Sequence, residues 1–194
     1  MLAGHFGLAA AVKAKQPSVP LWALMLSTQL LDVLFVPLLL TNVETIVPID
    51  KGGYGEAIIH ANYTHSLVGA LLIAIVAGLL AWRAWGRNTG LTIGAVVFSH
   101  WLLDLLVHRA DLPILPGNLG NLPLLGFGLW AFPLVSMVME FALIAVGGWF
   151  YFSSALKRAR ESGLRHRSWA IIAGSVTCVL LVLLLVMDVT GIAG

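Results

Sequence analysis

The chain has 194 residues, of which 59% are hydrophobic and only 10% charged. A water-exposed domain carries roughly 25% charged residues, so this composition excludes an ordinary soluble fold and points to lipid as the solvent. The formal net charge of +2 is too small to suggest a nucleic-acid partner, and the single cysteine, Cys178, excludes an intrachain disulfide or a cysteine-rich zinc motif.

The first apolar run, residues 2–12, is too short to cross a bilayer alone. With the turn Gln16-Pro-Ser-Val-Pro20 behind it, it reads as a half-depth or interfacial helix. No basic n-region precedes it, so a cleavable signal peptide is not expected. Five later segments approach the ~20 apolar residues that a bilayer core requires. They are residues 20–41, 65–85, 89–108, 124–152 and 168–189. The expectation is a single membrane domain over 1–194, an all-α polytopic helix bundle with about five transmembrane helices.

Two loops lie on one side of these spans. Residues 42–64 form the most polar stretch, with Glu44, Asp50, Lys51, Gly52, Gly53, Tyr54, Gly55, Glu56 and His60. Residues 111–123 carry Pro113, Pro116, Gly117, Gly120 and Pro123, which exclude a continuous helix. Basic residues gather on the other side: Lys13 and Lys15, then Arg83 and Arg87, then Lys157, Arg158, Arg160, Arg165 and Arg167. Only Lys51 and Arg109 oppose them. The positive-inside rule makes the basic ends cytoplasmic, and an odd number of spans then puts the C-terminus outside. The seven tryptophans fall mostly near predicted interfaces, where an aromatic belt accounts for them.

Ionisable residues within the spans are the functional candidates, since charge in hydrocarbon is costly and faces a protein interior or a wet cavity. His100, Asp104 and His108 recur every four residues and cover about 80° of one helical face. A helical rise of ~1.5 Å per residue, counted from the basic flanks, sets their depths at roughly 20, 25 and 30 Å. The same count places Asp32 at roughly 20–25 Å, Glu140 at about 25 Å and His5 at about 15 Å, with His65 at the outer end of the second span. Acids and histidines from four helices therefore share the outer half of the membrane. Any one of them alone reads equally well as a hydrogen-bonding staple between helices. Asp188 reads as interfacial and His166 as solvated.

The second span opens with His60-Ala-Asn-Tyr-Thr-His-Ser-Leu67, where Thr64 or Ser66 is placed to cap the helix or to hold the second nitrogen of His65. Together with Ser99-His100 and Asp104, this stretch resembles the bacterial membrane-bound, metal-dependent hydrolases of the LexA-binding, inner membrane-associated type. That family carries a histidine near the N-terminus, an acidic motif in the first long helix, His-x-x-x-Thr-His-Ser, and Ser-His-x-x-x-Asp. The matching positions are His5, Asp32, His60 with Thr64-His65-Ser66, and Ser99-His100 with Asp104, a little over half the chain. The family's acidic motif reads Pro-Asp-x-Asp, whereas Leu30-Leu-Asp-Val-Leu34 holds one acid and no proline. His108 and Glu140 are the residues available to replace the second acid.

The resemblance implies a hydrolase of the bacterial inner membrane acting on an ester or phosphoester bond of a lipid or lipid-linked substrate. A divalent metal, zinc first, would be held by His65, His100 and Asp104, with His5 and His108 as further ligands. Asp32 and Glu140 are the candidate catalytic carboxylates, whichever is unligated being placed to accept the proton of the water. Three other readings stay open. Histidines on different helices also suit b-type haem, buried acids suit an ion-coupled transporter, and the missing acid suits a non-catalytic scaffold descended from the hydrolases. Oligomeric state is left open by the sequence.

Overall fold

The computed structural model describes residues 1–49, 55–162 and 164–190. Asp50, Lys51, Gly52, Gly53 and Tyr54 of the polar loop, and the side chain of Arg165, lie outside the described residues. The helices are α1 (Leu2–Lys15), α2 (Leu21–Thr28), α3 (Leu30–Leu40), α4 (Leu67–Trp85), α5 (Arg87–Val107), α6 (Pro133–Ser162) and α7 (Leu164–Thr190). The chain is mostly helical but not wholly so. In the loop after α3, β1 (Thr45–Pro48) and β2 (Ala57–His60) form an antiparallel hairpin with Thr45 opposite His60.

Among the described residues, four helices are long and apolar enough to cross a membrane, and the bent pair α2–α3 makes a fifth crossing if counted as one span. Their outer faces carry large apolar side chains such as Leu72, Ile75 and Leu79 on α4 and Val179, Leu180 and Leu183 on α7. Such faces are suited to lipid and costly in water. The 20–41 segment departs from a straight span: it bends by 49° at Gln29. The 124–152 segment starts later, at Pro133. Residues 124–132 are instead shaped by Gly126 and Gly128 at positive φ and by a bridge from Leu125 to Leu112.

Two helical hairpins, α4–α5 and α6–α7, enclose the N-terminal helices. One core joins Ala9, Leu24 and Leu31 to Ala70, Ala74, Val97 and Trp101; the other joins Ala3 and Ala10 to Ile144, Tyr151 and Leu181. α1 is thus a buried short helix and not a surface one. Small residues permit this depth. A Cβ at Gly7 would lie 2.7 Å from the Leu143 carbonyl oxygen, and one at Gly147 would overlap the Gly7 carbonyl. Backbones in lipid approach this closely where glycine and alanine line the seam.

Both ends of α1 are held. Ser154 donates to the Ala14 carbonyl at one end, and the carboxylates of Asp188 and Glu140 accept the Ala3 and Gly4 N–H groups, each at 3.0 Å, at the other. The basic ends of α1 and α6 therefore lie together, and Trp22 at the start of α2 meets Trp85 at the end of α4. Replacing Gly147 by valine should force α1 off α6 and cost about 1–3 kcal/mol. Thermal unfolding in detergent reads this as a lowered midpoint, and an unchanged midpoint would remove the close crossing from the account.

Candidate metal centre

Local structure brings five side chains from separate parts of the chain to one point. His100 and Asp104 share a face of α5 at i,i+4 spacing. Asp32 lies in the first turn of α3, which the break at Gln29 creates and where a helix dipole favours a carboxylate. His65 immediately precedes Ser66, the N-cap of α4, whose hydroxyl accepts the Gly69 N–H. His5 comes from α1. Two groups of potential metal ligands result: His5, His100 and Asp104, and Asp32, His65 and His100.

The hydrogen bonds determine where the ring protons sit. His100 Nδ1 is 2.6 Å from the Thr28 carbonyl oxygen, which can only accept, so Nδ1 carries the proton. His65 Nδ1 is 2.9 Å from Thr64 Oγ1, whose own proton goes to Glu44 Oε2 at 2.9 Å. A carboxylate cannot return it, so His65 Nδ1 also donates. In the neutral rings both Nε2 atoms then present lone pairs.

Those lone pairs converge on other acceptors. His65 Nε2 and His100 Nε2 are 3.3 Å apart. Asp32 Oδ1 lies 3.3 Å from the first and 3.5 Å from the second. Asp104 Oδ2 lies 3.6 Å and 2.9 Å from them. Acceptors facing acceptors repel unless positive charge stands between them. A proton on one Nε2 satisfies one neighbour, whereas a divalent cation satisfies both nitrogens and a carboxylate at once. Tetrahedral ligands at bond lengths of ~2.0–2.1 Å are separated by about 3.3 Å. The residues present fit a metal ion.

The surroundings serve this cluster. Glu44, fully buried, also accepts the backbone N–H groups of Tyr63 and Thr64, and Trp101 Nε1 donates to the His65 carbonyl at 2.8 Å. His5 stacks on His100 with ring centroids 3.9 Å apart, and its Nε2–H reaches Asp104 Oδ1 at 3.1 Å. That bond leaves His5 Nδ1 buried without a partner. The Asp32 side chain keeps 44% of its surface exposed, facing a cavity of about 350 Å³.

Of the residues singled out in the sequence, His5, Asp32, His65, His100 and Asp104 meet here. His108 does not join them. α5 ends at Val107, and the His108 ring turns to Asp111, with Nδ1 2.9 Å from Oδ1, although it borders the same cavity. Glu140 sits at the amino end of α1 with Asp188, which is buried. His60 is exposed on β2, and Ser99 bonds back to the Val96 carbonyl within its own helix. The two alternatives for Thr64 and Ser66 are both realised, Thr64 holding the histidine and Ser66 capping the helix. Glu44 and Thr28 were not singled out. Only the acceptor requirement of a metal-facing histidine would have prompted a search for them.

No protein-family model, curated protein or solved structure matches the chain.

The division of labour between neighbouring hydroxyls is testable. Thr64→Val should weaken divalent-metal binding roughly 10–100-fold, the usual effect of removing a group that orients a ligand. Ser66→Ala should leave metal affinity near wild type and cost about 1 kcal/mol of stability. Isothermal titration and thermal unfolding of both variants measure these outcomes. Equal losses of affinity would contradict the assignment.

Proposed function

We propose that the chain is a membrane-embedded, metal-dependent hydrolase acting on an ester-type bond of a lipid or lipid-linked substrate. The observation that carries this reading is the convergence of His65 Nε2, His100 Nε2, Asp32 Oδ1 and Asp104 Oδ2 beside a cavity. The resemblance of Thr64-His65-Ser66 and Ser99-His100 with Asp104 to the bacterial membrane hydrolases supports it. Zinc is the proposed metal, because a small set of imidazole and carboxylate ligands suits it.

His65, His100 and Asp104 would hold the ion, three protein ligands that leave a position open. A bound divalent cation supplies Lewis-acid polarisation of a carbonyl or phosphoryl oxygen and makes water a better nucleophile at neutral pH. The protein's own part follows from the geometry. The Thr28 carbonyl and the Glu44–Thr64 pair hold both histidines in the tautomer whose free nitrogen faces the site. Asp32, the most exposed carboxylate of the cluster, is placed to accept a proton from a nucleophile in the cavity. His5 braces Asp104 and excludes water from behind it. Of the rival readings, haem between His65 and His100 is disfavoured, since Asp32 and Asp104 oxygens lie within 3.6 Å of both Nε2 atoms, where the macrocycle would have to pass.

The site is proposed to lie in the outer half of a bacterial inner membrane, with the Lys13, Arg83 and Lys157 ends cytoplasmic. The 13 residues from Arg87 to His100 correspond to a helical rise of about 20 Å, consistent with that depth.

Elemental analysis tests the reading directly. Purified wild type should carry about one divalent ion per chain, and His100→Ala and Asp104→Ala should carry little or none. Retention should also weaken as pH falls, because protons compete for the same histidine nitrogens. Metal-free wild type, or equal metal in all three proteins, would overturn the proposal.

A further inference from the structure

The wall of the cavity bears on the chemistry of the substrate. Among the described residues that line it, Asp32, Glu56, Asp104 and Asp188 carry carboxylates and none is Lys or Arg. Arg109, the basic residue beside the outer loop, gives its guanidinium to the Gly55 carbonyl. A divalent ion at the centre and the Met1 α-amino group would together balance three of the four carboxylates, and no Lys or Arg among the described lining residues balances the fourth.

Phosphoryl groups are usually bound by Arg or Lys forks or by open helix N-termini. Of the helix N-termini near this cavity, those of α1 and α4 are already bonded and that of α3 carries a carboxylate. The first N–H groups of α1 are bonded to Asp188 and Glu140, and the first turn of α3 holds Asp32. At α4, Ser66 accepts the Gly69 N–H, while the Pro113 and Ile114 carbonyls accept those of Leu67 and Val68. Among the described residues, an anionic group entering the cavity meets more carboxylates than cationic groups and no Lys or Arg side chain to bind it. Leu2, Phe35, Val36 and Ile46 supply an apolar flank beside the same cluster.

We infer that the substrate is an amphiphile whose scissile group is uncharged, a carboxylic ester whose chain lies along this flank, and not a phosphoester. The inference rests on the hydrolase reading above. In the reaction the oxygen of water bonds to the acyl carbon and the bond from that carbon to the alcohol oxygen breaks. The alcohol leaves with one proton of the water, and the acid keeps the other.

Two measurements in lipid nanodiscs test this. Metal-free protein should bind dodecyl acetate at least tenfold more tightly than dodecyl phosphate, and Glu56→Gln should tighten dodecyl phosphate severalfold while leaving dodecyl acetate unchanged. Equal or tighter binding of dodecyl phosphate by wild type would overturn the inference, as would an unchanged gap in Glu56→Gln. Zinc-loaded protein should cleave p-nitrophenyl dodecanoate and spare p-nitrophenyl dodecyl phosphate. Cleavage of the phosphodiester alone overturns the inference and leaves the hydrolase reading standing. No cleavage of either, with the binding preference intact, removes the hydrolase reading and supports the cavity's selection of uncharged groups.

Discussion

The architecture depends on a shortage of hydrogen-bond donors at one point. His65 Nε2 and His100 Nε2 face each other at 3.3 Å, and one oxygen of Asp32 and one of Asp104 each lie within 3.6 Å of both. Each imidazole is held in that state from behind, His100 by the Thr28 carbonyl and His65 by Thr64 under Glu44. In a low-dielectric interior such an arrangement is costly without a balancing charge. The helix break at Gln29 and the placement of His65 just ahead of α4 are then understandable as ways of delivering acceptors to a common centre.

The second dependence is on α1. A 14-residue helix is too short to span hydrocarbon, and its amino end would carry unsatisfied N–H groups into the bundle. Asp188 and Glu140 resolve that problem, and glycines at the α1–α6 crossing let the helix sink far enough for His5 to stack on His100. The two buried acids of α6 and α7 therefore support the cluster at a distance, through the helix they hold.

Much of this was legible in the sequence, and the remainder was hidden for identifiable reasons. His100 and Asp104 follow from helical periodicity alone, and the motif around His65 pointed to the same centre. Depth counting put Glu140 in the same layer, and it is at that end of the bundle. Depth does not say which neighbour a helix face meets, and α1 stands there. His108 looked like a third member of a stripe because the helix seemed to run on. The backbone leaves helical geometry at His108, with ψ 144°, and the ring turns to Asp111. Glu44 sits in a loop without periodicity, and its role arises from the fold-back that carries residues 63 and 64 to it. The hairpin was missed because its strands are only four residues long and flank the Gly-rich tip.

The packing of α1 also orders events during synthesis. This helix emerges before α2 to α7, yet it packs mainly on α6 and α7, which follow the other helices in the chain. Domains generally form as their segments become available along the growing chain. Asp32, His65, His100 and Asp104, and the groups His5 touches, belong to the portion completed by residue 107, whereas the carboxylates that hold the amino end of α1 come with α6 and α7. The back wall of the centre is thus fixed by the return of α1 to α6 and α7, so a product lacking them retains the outline of the centre without the anchor of that wall.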